Sequence, residues 1–178
     1  GNSIKRKFFA HMDNVCEVRL TNVAEIGDLA FVGDFNIETI SGLNKVTYVG
    51  DMAFADCKAL KSIVLPVSCA HIGLGAFEGC SSLTRVTYPI DNHQVEYDIS
   101  ATELFGEDYS SSLNIEIVGG DIPAGYFENF NANVVVTVSP KTVGNSAFKN
   151  SGLTQIALTD TAKIGIEAFT GSKITVAT

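Results

Sequence analysis

The chain has 178 residues, enough for one domain with a sizeable core, and its 46% hydrophobic content argues against disorder. Its apolar residues lie in short clusters, none approaching the roughly 18–20 consecutive apolar residues of a membrane-spanning helix, so no direct membrane insertion is expected. The formal net charge is −8, and the 12 Lys and Arg are dispersed apart from Lys5-Arg6-Lys7. This balance argues against nucleic acid and anionic membrane surfaces, which attract concentrated positive charge.

At the N-terminus, Gly1 to Lys7 is basic but no long apolar stretch follows, so the segment is not a signal peptide. From there one hexad recurs: Ile26-Gly27-Asp28-Leu29-Ala30-Phe31, Val49 to Phe54, Ile72 to Phe77, Val143 to Phe148 and Ile164 to Phe169. The shared form is [Ile/Val]-Gly-x-x-Ala-Phe, which composition alone would produce on the order of 0.01 times. Ile4 to Phe9 and Ile122 to Phe127 are weaker copies, and Leu104-Phe105 keeps only the end. The closing residues are Phe9, Phe31, Phe54, Phe77, Phe105, Phe127, Phe148 and Phe169. Subtraction gives spacings of 22, 23, 23, 28, 22, 21 and 21 residues, within the 20–29 range of leucine-rich repeats.

After each anchor comes a second pattern, as in Leu60, Ile63, Leu65 after Phe54 and Leu83, Val86, Tyr88 after Phe77. Its last two positions alternate with polar residues, which predicts a half-buried strand. The intervening Ala53, Phe54, Cys57 and Leu60 are spaced by three to four, which predicts a short helical turn. Asp28, Asp51 and Asn145 stand where they would cap such a turn, and Pro66 and Pro89 would end the strands. One such unit cannot bury its apolar face alone; stacked units can, with parallel strands about 4.8 Å apart and the phenylalanines in a continuous spine.

Residues 49–68 (VGDMAFADCKALKSIVLPVS) and 72–89 (IGLGAFEGCSSLTRVTYP) closely resemble BspA-like leucine-rich repeats. The resemblance is strong over residues 23–89 and 141–176 and weak over 90–140; the first repeat departs from it, with Lys5 for Gly and Phe8 for Ala. It implies an α/β leucine-rich-repeat solenoid of about eight repeats, each with a short parallel strand and a short helical turn, forming a single domain over residues 1–178. It also implies an extracytoplasmic, surface or secreted protein linked to adhesion. No catalytic residue and no motif-borne ligand site comes with it.

Two candidate surfaces follow. Outward strand positions Glu17, Arg19, Thr39, Ser41, Ser62, Val64, Arg85, Thr87, Gln155 and Ala157 would lie side by side on a concave sheet, where solenoids bind extended partners. The same residue types also simply suit exposed strands. The 28-residue spacing hides an inserted loop around 89–100 that carries Asp91, His93, Glu96 and Asp98. No spacing there matches an EF-hand or zinc motif, so a solvated loop is the simpler reading, and no metal or cofactor is expected. Cys57 and Cys80 occupy equivalent positions, so either a disulfide or a ladder of buried thiols fits; Cys16 and Cys69 fall at other offsets.

His11, His71 and His93 sit in three different repeats and belong to no hydrolase motif. The expected function is therefore non-enzymatic binding of a host or cell-surface protein or glycan. A structural spacer is the first alternative, and a carboxylate-based glycan hydrolase the more distant one. The last strand, near Ile174 to Val176, lacks an obvious polar cap, which leaves end-to-end self-association open.

Overall fold

A computed structural model describes residues 2–12, 14–90 and 99–178. The described residues wind through eight coils, and all their strand pairs are parallel. Short strands lead into the hexads: β1 (Ser3–Ile4), β3 (Glu25–Ile26), β5 (Tyr48–Val49) and β7 (His71–Ile72) form one ribbon, β11 (Thr142–Val143) and β13 (Lys163–Ile164) another. The strands after the anchors form the main sheet: β2 (Glu17–Arg19), β4 (Thr39–Ser41), β6 (Ser62–Val64), β8 (Arg85–Tyr88), β9 (Asn114–Ile117), β10 (Asn133–Val136), β12 (Leu153–Ile156) and β14 (Val176–Ala177), neighbours in that order. Alternation explains their residues: Val18, Ile40, Ile63 and Val86 point into the core while Arg19, Ser41 and Val64 stay exposed. Pro66 lies two residues beyond β6, and Pro89 directly follows β8.

The helical turn expected in every coil does not form. Its place is taken by tight turns in which an N–H donates three residues back, as Cys57 does to Phe54 O at 3.2 Å and Leu60 to Cys57 O at 3.1 Å. Two features prevent a helix. The fourth hexad residue is left-handed, with φ 55° at Leu29, 51° at Met52 and 53° at Ser146, and so is the second residue past the anchor, with φ 58° at Asp56. Alternate N–H groups also turn to the next coil: Phe31 N donates to Ala53 O at 2.8 Å and Phe54 N to Ala76 O at 2.9 Å. Periodicity of three to four reports which residues face inward, and a chain of turns satisfies it as well as a helix. Asp28, Asp51 and Asn145 cap between coils, accepting from Asp51 N at 3.2 Å, Leu74 N at 2.9 Å and Ile166 N at 2.9 Å.

Among the described residues there is one helix, α1 (Ala101–Phe105), with Ser100 and Glu103 closing a capping box. It sits where the hexad is stretched by one residue, Ile99 to Phe105, and bonds four residues back (Leu104 N to Ser100 O, 3.0 Å) absorb the extra length.

The hexad glycine exists for close approach. A Cβ at Gly27 would meet Arg6 N at 2.9 Å, at Gly50 Asp28 N at 2.6 Å and at Gly73 Asp51 N at 2.5 Å, each in the coil before it. Lys5, Ser100 and Pro123 stand where the other five coils have this glycine. Pro123 follows the helical coil.

Anchor rings stack as expected at both ends: Phe9–Phe31 4.9 Å, Phe31–Phe54 5.4 Å, Phe54–Phe77 5.8 Å, and later Phe127–Phe148 5.2 Å and Phe148–Phe169 5.8 Å, all within 11° of parallel. In the middle Phe130, which the anchor pattern does not include, bridges Phe105 at 5.7 Å and Phe127 at 6.1 Å with tilted rings. Of the two options for Cys57 and Cys80, the buried thiol ladder forms: both are free, and each donates to an anchor carbonyl, Phe31 O and Phe54 O, at 3.1 Å. Cys16 and Cys69 are also free, the first exposed and the second buried.

Candidate binding face

Because each coil contributes one strand in parallel register, outward side chains repeat along the main sheet in two rows. Glu17, Thr39, Ser62, Arg85, Asn114 and Asn133 form the first, through the pairs Glu17–Thr39, Thr39–Ser62, Ser62–Arg85, Arg85–Asn114 and Asn114–Asn133. Arg19 with Ser41, Val64 with Thr87, and then Glu116, Val135, Gln155 and Val176 form the second.

Eight of the ten outward positions expected from sequence fall in these rows over β2, β4, β6 and β8. They differ in accessibility: Val64 is 54% exposed, whereas Thr87 is only 7% exposed. The remaining two are displaced. A bulge opposite Val134 and Val135 sets Leu153 against Val134 and Gln155 against Val135. Gln155 thereby joins the second row and not the first, and Ala157 lies beyond β12, half-buried. The loop candidates Asp91, His93, Glu96 and Asp98 lie outside the described residues.

Several charges on the face are paired. Glu17 and Arg19 hold each other at 2.8 Å; that hydrogen bond, more than simple attraction, lowers the Glu17 carboxyl and raises the Arg19 guanidinium from their ordinary pKa values. Lys61 pairs with Glu38 between coils. Arg85 approaches Glu116 at 3.6 Å, too long for a hydrogen bond, while Thr87 Oγ1 donates to the same Glu116 oxygen at 3.4 Å.

Sequence reasoning missed the middle of the face. There Asn133 Nδ2 donates to Asn114 Oδ1 at 2.9 Å, Thr154 Oγ1 donates to Asn133 Oδ1 at 2.7 Å, and Asn114 Nδ2 donates to Ser112 O at 2.7 Å. Two adjoining hollows open over this ladder and share Asn114 and Asn133. One, of about 350 Å³, lies beside Arg85, Glu116 and Val135; the other, of about 220 Å³, beside Ser112, Thr154 and Lys173. Successive asparagines at strand starts were the available signal, but the register of this stretch could not be read without the neighbouring coils. A third hollow, of about 200 Å³, lies over the turns among Asp56, Glu78, Glu107 and Asp108.

Elsewhere, Tyr48 and His71 stack at 4.5 Å on the ribbon of short strands, and burial followed by nearby Asp28 raises the Tyr48 phenol. Among the described residues, no group of three or more His, Cys, Asp or Glu is placed to hold a metal, and no helix is long and apolar enough to cross a membrane.

One main-sheet strand per coil, an aromatic spine and inter-coil bonding define a leucine-rich-repeat solenoid. The chain belongs to the BspA-type leucine-rich-repeat family: the family model for the BspA type leucine rich repeat region matches it in six copies, over residues 2–103 and 120–178. A leucine-rich repeat protein from Eubacterium ventriosum is 26% identical, with a TM-score of 0.63 over 91% of this chain and 44% of its own. One from Bacteroides ovatus is 18% identical, with a TM-score of 0.37 over 95% of this chain and 67% of its own. The chain thus spans less than half the length of the Eubacterium protein. No curated protein matches it.

Proposed function

We propose that the chain is a non-enzymatic binding module of a bacterial surface or secreted protein, recognising a protein or glycan through the outward face of its main sheet. The observation that carries this reading is the pair of hollows over Asn114 and Asn133, where polar side chains line a concavity on a strand-built floor. Membership of the BspA-type family supports the extracytoplasmic placement. The inward residues fill the core, so outward ones such as Arg19, Val64 and Gln155 are free of any packing duty.

Replacing Arg19, Val64, Arg85 and Gln155 together by alanine tests it. The variant should keep the wild-type circular dichroism and melting curve and lose retention on host-cell monolayers. Unchanged retention would rule the face out. A spacer role is the alternative, favoured by the continuous inter-coil bonding and by the greater length of the Eubacterium protein. It is recognised by the opposite result, a face that tolerates all four changes.

A further inference from the structure

We infer that the double hollow over Asn114 and Asn133 is a subsite for a carboxylate-bearing glycan, a proposal that rests on the outward-face reading above and narrows it to one ligand class. Three properties of the site point there.

The first is its chemistry of donors. Asn133 Nδ2 spends one proton on Asn114 Oδ1, and Asn131 Nδ2 one on Asn129 O at 3.3 Å, which leaves each amide a second proton. Lys173 lines the smaller hollow, and Arg85 the larger with its guanidinium no nearer to Glu116 than 3.6 Å. Two amides, an ammonium and a guanidinium thus offer donors along the groove.

The second is its charge. The chain carries −8 overall, yet among the described residues the charged ones lining the two hollows are Arg85, Lys173 and Glu116, a local excess of one positive charge. Glu116 is moreover approached by both Arg85 and Thr87. The turn-side hollow, with Asp56, Glu78, Glu107 and Asp108, has the opposite character. An anionic ligand is thus directed to one hollow system and away from the other.

The third is shape. The strands beneath the groove are paired on both sides, so no backbone edge is open for an incoming peptide strand. Among the described residues no aromatic side chain lines either hollow, so these residues provide neither the anchor pocket that a protein partner would fill nor the ring on which a neutral sugar would stack. The span from β8 to β12 crosses three strand spacings, roughly 14 Å at about 4.8 Å each, which suits a short oligosaccharide. Its hydroxyls would meet the amide ladder, and its carboxylates Lys173 and Arg85.

Calorimetric titration of the whole chain with tetragalacturonate and 3′-sialyllactose, against carboxyl-reduced tetragalacturonate and lactose, tests the assignment. At least one carboxylated probe should bind, its affinity falling with salt, and the uncharged counterparts should not. Lys173→Gln and Asn133→Ala should each weaken that binding about tenfold, as expected for the loss of one hydrogen bond to a charged ligand. Lys141→Gln, outside the hollows, should leave it unchanged. Equal binding of the reduced glycan, indifference to both groove substitutions, or no binding of either carboxylated probe overturns the inference. If the probes fail while the fourfold face variant still loses cell retention, the face stands as a binding surface and the glycan assignment alone falls.

Discussion

The coils over residues 26–89 and the coils between 99 and 140 bury their apolar residues in different ways. In the first region each anchor ring lies on the next within 11° and each hexad glycine meets the preceding coil's backbone. In the second, Phe105, Tyr109, Phe127 and Phe130 meet at tilts of 30–57°, a helix takes up an extra residue, and Gly119 has only Pro89 Cβ nearby, at 3.8 Å. The family match omits 104–119, inside that second region. The repeat is thus one solution to a packing requirement that other aromatic residues also meet. The candidate groove opens where the repetition is least regular.

The sharpest way to break this comparison is to remove a ring from each region. Phe54→Ala should cost about 3–5 kcal/mol, as for any large buried aromatic, and Phe130→Ala about the same if the irregular middle is equally dense. Urea unfolding measures both. A loss below about 1 kcal/mol at Phe130 would mean that the middle is loosely filled, and equal tolerance of Phe54→Ala and the exposed Lys58→Ala would contradict the spine itself.

Glycine substitutions sharpen the contrast next. Gly73→Ala forces a methyl against Asp51 N and should cost about 1–3 kcal/mol, whereas Gly119→Ala should stay within about 0.5 kcal/mol. Similar melting temperatures for the two would deny that close coil approach sets the cost.

The thiol ladder gives a pH dependence. Burial pushes up both thiols, Cys80 to about 12. Below about 8.5, the ordinary thiol value, both folded and unfolded chains keep these protons and stability is unaffected. Between there and about 12 only the unfolded chain ionises, so stability falls as pH rises, by at most about 1.4 kcal/mol per pH unit for each thiol. The Cys57→Ala, Cys80→Ala double variant should show a shallower alkaline decline in melting temperature; an identical decline would remove the thiols as its cause.

The smallest effect concerns the inter-coil caps: Asp51→Ala should cost about 1 kcal/mol by orphaning Leu74 N. No measurable loss would mean that solvent replaces the carboxylate there.

How much of this was legible in the sequence varied along the chain. The spine was, because Phe31, Phe54 and Phe77 recur with fixed neighbours, and a stack forces equivalent residues together. The outward rows over β2 to β8 were, because alternation there is uninterrupted. The turn conformation was not, since inward spacing alone does not distinguish a helix from turns whose N–H groups serve the next coil. Phe130 was hidden because it lies three residues past the expected anchor Phe127. Gln155 is outward as expected, but the bulge opposite β10 shifts the register by one and leaves Ala157 beyond β12, a consequence of pairing between strands that one strand's sequence does not carry. The asparagine ladder shared this fault: its meaning depends on Asn114 and Asn133 being neighbours, which the uneven spacing concealed.

Lys5 puts a side chain where five other coils carry a bare α-carbon. Any coil stacked beneath it at the native pitch would bring main-chain atoms against its Cβ, as Asp51 N would meet one at Gly73 at 2.5 Å. Lys5 is therefore an obstacle to the stacking of a second copy against that face. Sedimentation of this 178-residue chain at rising concentration should show weaker self-association than the Lys5→Gly variant, and equal behaviour would mean that the side chain has no such effect.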